Sequence, residues 1–271
     1  MTQEYVHGYE PAEAVRLQDQ ARTLVELLHS DTHYPKGSVV LEAGCGVGAQ
    51  TVALAKSSPE ARIVSIDVSA DSVARAEKNV LAEGITNVEF QRADIFSLPF
   101  EPQTFDHVFL CFVLEHLLNP VDALISLGSV LKPGGTITVV EGDHGSTYFH
   151  PESSAADAAI NSQVELQRRA GGDAHIGRRL YPLIAECGYS SVQVSPRMVY
   201  VDASKPHLVE GFTKRTFTAM IEGIRESALE AGIIDPALFD EGVRALYRTA
   251  ETDGTFSYTF FKAVGRNPLS V

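Results

Sequence analysis

One segment constrains this chain more than any other: Leu41-Glu42-Ala43-Gly44-Cys45-Gly46-Val47-Gly48-Ala49. An apolar strand, Ser38 to Glu42, runs into three glycines within five residues. A helix follows, roughly Ala49 to Ser57, with Val52, Ala53 and Leu54 as its apolar residues. Glycines this close together let a chain turn at the carboxyl end of a strand and bring backbone up to a ligand where a Cβ would clash. Strand, glycine turn and helix in that order open a doubly wound parallel sheet.

The next strand, Arg62 to Ile66, ends in Asp67, 19 positions beyond Gly48. A carboxylate there can accept hydrogen bonds from both hydroxyls of a ribose, which points to a nucleoside cofactor. Asp67 can also be read as a helix N-cap, although Ser69 suits the helix Ala70 to Glu83 equally well. By itself the turn, read as Gly44-x-Gly46-x-x-Ala49, fits a nicotinamide oxidoreductase just as well. The later strand ends carry the rest of the information. Asn87 to Arg92 leads into Ala93-Asp94-Ile95, and Phe105 to Phe112 leads into Val113-Leu114-Glu115-His116-Leu117. A helix from Pro120 to Leu131 is followed by the turn Leu131-Lys132-Pro133-Gly134-Gly135 and a fifth strand, Thr136 to Glu141. Proline sets φ in such a turn and glycine supplies positive φ.

Together these residues resemble the class I S-adenosylmethionine-dependent methyltransferases over about residues 35 to 145. The resemblance rests on Glu42 to Gly48, Asp67, Ala93-Asp94-Ile95, Phe105 to Val108 with Glu115-His116 beyond, and Leu131 to Gly135. It implies that Gly44, Cys45 and Gly46 pack against the methionine part of the cofactor, with Glu42 organising donors around its amino group. It further implies that Asp67 and Val68 hold the ribose, that Asp94 and Ile95 hold the adenine, and that Cys111, Phe112 and Val113 line the wall near the sulfonium. The fold it implies is a seven-stranded, mostly parallel α/β sheet with an antiparallel last strand and a helical cap.

Outside this region the sequence carries the acceptor side. A helix from Pro11 to Ser30 has Ala14, Leu17, Ala21, Leu24 and Leu28 at helical spacing. In the resembling family such a helix covers the cofactor cleft, which makes Tyr9 an aromatic gate and Gln20 a contact to the methionine carboxylate. Glu141-Gly142-Asp143-His144-Gly145-Ser146 follows the fifth strand, where ligands of a doubly wound sheet bind. A base is needed only if the acceptor loses a proton. The candidates, in order, are His144, Asp143, His116 and Glu115, histidine being suited to proton transfer near neutrality. Further helices are expected at Ser153 to Ala170 and Gly177 to Cys187, then strands at Ser190 to Val201 and Thr255 to Gly265. Between those strands lie two helical patterns, the first with Phe212, Phe217, Met220, Ile221 and Ile224 and the second from Pro236. The expected organisation is a cap segment at 1–34, a core at 35–204 and 253–271 with a helical insert at about 147–172, and a helical lid at 205–252.

Composition limits the partners. The net charge of −13, from 22 basic and 35 acidic residues, argues against a polyanion, because neutralising phosphates takes clustered Lys and Arg. Three cysteines without C-x-x-C spacing indicate neither a disulfide framework nor a metal site. No signal-like or membrane-length apolar run is seen, so a cytoplasmic monomer or homodimer is expected. No Asn/Asp-Pro-Pro-Tyr motif follows the fourth strand, which disfavours adenine or glutamine amino groups as acceptors. The expectation is in-line methyl transfer from S-adenosylmethionine to a small aromatic or heterocyclic metabolite. Glu141 to Ser146 and Gln18 to Ala21 also resemble bacterial enzymes that methylate indole C3. The alternatives are a nicotinamide oxidoreductase and a cofactor-binding protein without turnover.

Overall fold

The computed structural model describes residues 11–268, with side chains from residue 16 onward. The leading helix α1 (Pro11–His29) is followed by alternating strands and helices: β1 (Val39–Ala43), α2 (Ala49–Ser57), β2 (Arg62–Asp67), α3 (Ala70–Ala82), β3 (Val88–Arg92) and β4 (Phe105–Cys111). Next come α4 (Pro120–Val130), β5 (Leu131–His150), α5 (Ser154–Arg169), α6 (Leu180–Glu186) and β6 (Ser190–Val201). The sheet order is β3-β2-β1-β4-β5-β7-β6, where β7 (Thr255–Arg266) is antiparallel to both neighbours and the other pairs are parallel.

Strand alternation builds two cores. In β1 and β4, Val40 and Phe109 face one layer while Leu41, Ala43, Val108 and Leu110 face the other. Both layers are covered, as a parallel sheet requires, so these strands read as continuous apolar runs. The first layer packs α1, α2 and α5, and the second packs α4 and α6. Ser69 caps α3 by accepting from Ser72 N at 3.2 Å.

Three expected elements differ. The turn expected at Leu131 to Gly135 lies within β5, where pairing with β4 shifts register between Phe105↔Leu131 and His107↔Thr136. The fifth strand does not end at Glu141 but runs to His150, because β7 is long enough to pair with it from Thr136↔Arg266 to His150↔Thr255, with one register shift after Asp143. The presumed loop at 141–146 is therefore largely strand. The helix expected at Gly177 to Cys187 is split into a 3₁₀ turn, Ile176–Arg179, and α6.

Between β6 and β7 the chain forms α7 (Pro206–Leu208), a π-helical stretch Val209–Thr218, α8 (Ala219–Gly223), α9 (Arg225–Glu230) and α10 (Pro236–Arg248). Phe212, Phe217, Met220 and Ile221 from these pieces pack into the first-layer core with Phe256, Tyr258 and Phe260 of β7. Helix α10 lies so close on α5 that a Cβ at Gly242 would collide with the Ala155 carbonyl.

Candidate active site

A cavity of about 920 Å³ opens at the carboxyl ends of β1 to β4 and is closed on its far side by α1, the π-helical stretch and β7. At one end lies the glycine turn. Gly44 and Gly46 have φ of +77° and +51°, and the N–H groups of Gly44 and Cys45 both donate to the Ile66 carbonyl. A Cβ at Gly44 would meet Val113 at 2.5 Å, whereas one at Gly46 would meet nothing within 4 Å, since Gly46 faces the cavity. The turn is tied to β2 through Asp67, whose Oδ2 accepts from Gly46 N and Oδ1 from Ser69 N, each at 2.9 Å. Burial raises the Asp67 carboxyl above its ordinary value, opposed by these backbone donors. Asp94, also on the cavity, closes a tight turn by accepting from Phe96 N at 2.9 Å.

The middle wall is the β4 exit. Phe112 lies in the left-handed region at φ +58°, a conformation that costs a non-glycine residue of order 1–3 kcal/mol and persists only where its surroundings impose it. Here Phe112 N donates to the Val140 carbonyl, and Val113 N and Leu114 N donate to Glu141 Oε1 at 3.0 and 2.7 Å. Glu141 is fully buried with its Oε2 unpartnered, and burial together with nearby Glu115 pushes its carboxyl well up. Cys111, Phe112 and Val113 all line the cavity.

A further part of the lining is aromatic. Phe112, Phe212, Phe217, Tyr258 and Phe260 line it with Met220 and Thr216. Polar groups reach it at Glu115, His116, His144 and Tyr258. Glu115 accepts from Gln167 Nε2 at 3.2 Å and lies 3.6 Å from His116 Nε2. His144 Nδ1 is 2.7 Å from the Tyr258 hydroxyl. Burial lowers the His144 imidazole below its usual value, and burial with the surrounding carboxylates drives the Tyr258 phenol far upward.

Of the residues singled out from sequence, Gln20, Gly44, Cys45, Gly46, Asp67, Val68, Asp94, Ile95, Cys111, Phe112, Val113, Glu115, His116 and His144 share this one cavity. Tyr9 lies outside the described residues. Glu42 does not line the cavity. It is buried beneath the turn, accepts from Ser65 Oγ at 2.5 Å, and burial pushes its carboxyl up to about 7. Asp143 must be corrected as a base. In an extended strand Gly142 and His144 face one side and Asp143 the other, and both Asp143 oxygens are held by Arg178 at 2.7 Å. Tyr258 and Phe260 were missed, although the alternation Phe256-Ser257-Tyr258-Thr259-Phe260 marks one apolar face of a strand. Among the described residues no group of three or more His, Cys, Asp and Glu is placed to hold a metal, and no helix is long and apolar enough to cross a membrane.

A mostly parallel sheet of this order with an antiparallel last strand, a glycine turn after β1, and acids closing β2 and just beyond β3, is the architecture of class I S-adenosylmethionine-dependent methyltransferases. Known proteins agree. Residues 35–188 match the family model described as a methyltransferase domain, and the chain belongs to that family, whose cofactor is S-adenosylmethionine. An uncharacterized methyltransferase of Schizosaccharomyces pombe is 35% identical over 133 residues, 47% of this chain and 48% of that protein, so the match spans about half of this relative. The protein named probable methyltransferase ltbC of Aspergillus luteorubrus is 31% identical, with 93% of each chain covered. Among solved structures, phosphoethanolamine N-methyltransferase 2 of Haemonchus contortus, in complex with phosphomonomethylethanolamine and S-adenosylhomocysteine, has a TM-score of 0.57 at 17% identity, covering 92% of this chain and 53% of the other. The [4+2]-cyclase SpnF has a TM-score of 0.55 at 20% identity, covering 93% and 82%. Likeness at such identities shows the fold alone, and the second case illustrates that one fold serves different chemistries. The family match removes the nicotinamide reading of the glycine turn.

The residues present fit this cofactor. Gly46 leaves room beside the turn for a bulky group, the polar lining includes the carboxylates Asp67 and Asp94, suited to hydroxyl and amino partners, together with Gln20 and Arg16, and no phosphate-binding lysine of a P-loop follows the glycines.

Proposed function

We propose that this chain transfers a methyl group from S-adenosylmethionine to a small aromatic or heterocyclic acceptor. The observation that carries this reading is the cluster of aromatic rings, Phe112, Phe212, Phe217, Tyr258 and Phe260, which pack on one another and line the cavity. Flat ring faces of this kind favour a planar apolar ligand through offset and edge-to-face packing, each pair worth about 0.5–1.5 kcal/mol beyond area burial.

In this reading Asp67 holds the ribose hydroxyls, Asp94 and Ile95 the adenine, and Gly44 to Gly46 with Gln20 the methionine part. When bound, the cofactor supplies an electrophilic methyl at a sulfonium. The chain's own contribution is geometric: the Glu141-held segment Phe112 to Leu114 fixes one wall, and the aromatic residues orient the acceptor. Orientation of this kind contributes up to about 7–11 kcal/mol. The helical pieces at 205–252 act as a lid that keeps water from the acceptor, and the core at 35–204 and 253–271 carries the cofactor. Indole C3 remains within the acceptor class.

The test has two parts. Calorimetry is expected to show S-adenosylhomocysteine binding that Asp67→Ala abolishes. A metabolite extract incubated with deuteromethyl-labelled cofactor is expected to yield a mass-shifted aromatic product. Absence of binding defeats the cofactor assignment, and a labelled aliphatic product defeats the acceptor class.

A further inference from the structure

The base candidates named from sequence did not include the group that stands closest to His144 on the cavity wall. Tyr258 comes from β7 and His144 from β5, adjacent antiparallel strands, with Gly142↔Phe260 and Asp143↔Thr259 as their last paired positions before the register shifts. The hydroxyl occupies space over Gly142, where any Cβ would collide with it, and reaches His144 Nδ1 at 2.7 Å. Gly142, His144 and Tyr258 all line the cavity. The two rings are held by aromatic neighbours: His144 stands edge-on to Phe217 at 6.2 Å, and Tyr258 packs on Phe260 at 4.7 Å and Phe217 at 5.6 Å. Both rings therefore pack within one aromatic cluster that supports the observed geometry of the pair.

We propose that Tyr258 and His144 form a proton path for the methyl acceptor, the tyrosine hydroxyl touching the acceptor and the imidazole serving as terminal base. The proposal rests on the methyltransferase reading above and narrows the acceptor to an aromatic compound with an ionisable N–H or O–H. The acceptor's nucleophilic atom bonds to the methyl carbon as the methyl–sulfur bond breaks, with that electron pair remaining on sulfur. The acceptor's proton passes to Tyr258 Oη while the hydroxyl proton passes to His144 Nδ1. The net change is a methylated acceptor, a neutral thioether and an imidazolium.

The surroundings suit this path. Burial keeps His144 neutral near pH 7 and therefore able to accept a proton, while Tyr258 keeps its proton until it is handed on. The groups around His144 are Glu115 and His116 beyond β4, Asp143 on its own strand paired to Arg178, His175 ahead of α6, and Tyr258 on β7. Glu115 and Asp143 favour the imidazolium, and His175 and His116 oppose it. The sign follows from the lowered imidazole value: transfer is sustained at neutral pH and falls as pH drops through the His144 midpoint.

Histidine-labelled ¹⁵N NMR tests the pair without any acceptor. At pH 7 the wild type is expected to show a neutral His144 ring with a hydrogen-bonded Nδ1, assigned by its disappearance in His144→Gln. Tyr258→Phe, which removes only the hydroxyl, shifts both that Nδ1 signal and the His144 midpoint. An Nδ1 signal and midpoint unchanged in Tyr258→Phe overturn the proposal. In a second arm, deuteromethyl-labelled cofactor is supplied with phenols, indoles and anilines of graded acidity. Tyr258→Phe is expected to lower kcat about 100-fold or more for the least acidic members, with the loss shrinking as acidity rises; an equal loss across the panel overturns the proposal. S-adenosylhomocysteine binding stays unchanged in both variants. Failure of the wild type to bind it defeats the methyltransferase reading, whereas binding with an unshifted His144 defeats only the proton path.

Discussion

Two alanine substitutions in the glycine turn, only two residues apart, are expected to fail in different ways. Gly44→Ala forces a side chain into φ +77°, worth about 1–2 kcal/mol for an L-residue in the left-handed region. The new Cβ also arrives 2.5 Å from Val113 Cγ2 and 3.1 Å from Cγ1. Val113 cannot retreat freely, because its backbone N–H is held by Glu141 at 3.0 Å. Overpacking of this kind adds about 1–3 kcal/mol, so Gly44→Ala should cost about 2–5 kcal/mol in all. Gly46→Ala pays the conformational part, φ +51°, but its Cβ meets no protein atom within 4 Å and projects toward the cavity. It should cost only about 1–2 kcal/mol of stability while weakening cofactor binding by more than about tenfold, or about 1.4 kcal/mol. Urea unfolding with linear extrapolation measures the first quantity and calorimetric titration with S-adenosylhomocysteine the second. Equal stabilities for the two variants, or wild-type affinity in Gly46→Ala, would refute the assignment of one glycine to packing and the other to the ligand.

Three more outcomes are expected. Asp67→Ala removes two charge-assisted hydrogen bonds from the proposed ribose site, each worth about 1.5–3 kcal/mol, so the S-adenosylhomocysteine Kd should rise at least about 100-fold by calorimetry. The Glu42 carboxyl is raised by burial from 4.5 to about 7, so its contribution is full below the unfolded value and is lost as pH rises through the folded one. Denaturation of wild type and Glu42→Gln at several pH values should show the variant gaining relative stability, up to about 3 kcal/mol, from near pH 4.5 to near pH 7 and levelling above; parallel curves would contradict this. Arg178→Met strands the buried Asp143 carboxylate and should cost about 3 kcal/mol, much of it recovered when Asp143→Asn is added, as a double-mutant cycle would record.

The residues proposed to hold the cofactor could be brought to one cavity from sequence because their determinants are local. A glycine turn and the acid closing the next strand each express a backbone or hydrogen-bonding need within a few residues, and Gly44, Gly46, Asp67 and Asp94 do meet on one cavity. The acceptor half was read less well for a specific reason. Glu141 to Ser146 looks like a polar loop in isolation, and only pairing with β7 makes part of it strand, which sends His144 toward the cavity and Asp143 to Arg178. Tyr258 lies 114 positions from His144, a separation that no local pattern spans.

The sequence alone determined the alternation of strands and helices, the glycine turn and the acidic strand ends, because these follow from φ preferences, side-chain periodicity and hydrogen-bonding capacity along a short stretch of chain. Tertiary structure decided which polar side chains share a surface. It buried Glu42 and Glu141 behind the site instead of in it, turned Asp143 away, and brought Tyr258 within 2.7 Å of His144. These outcomes depend on the register of β5 against β7 and on desolvation by elements distant in the chain, and both arise only when the sheet is assembled.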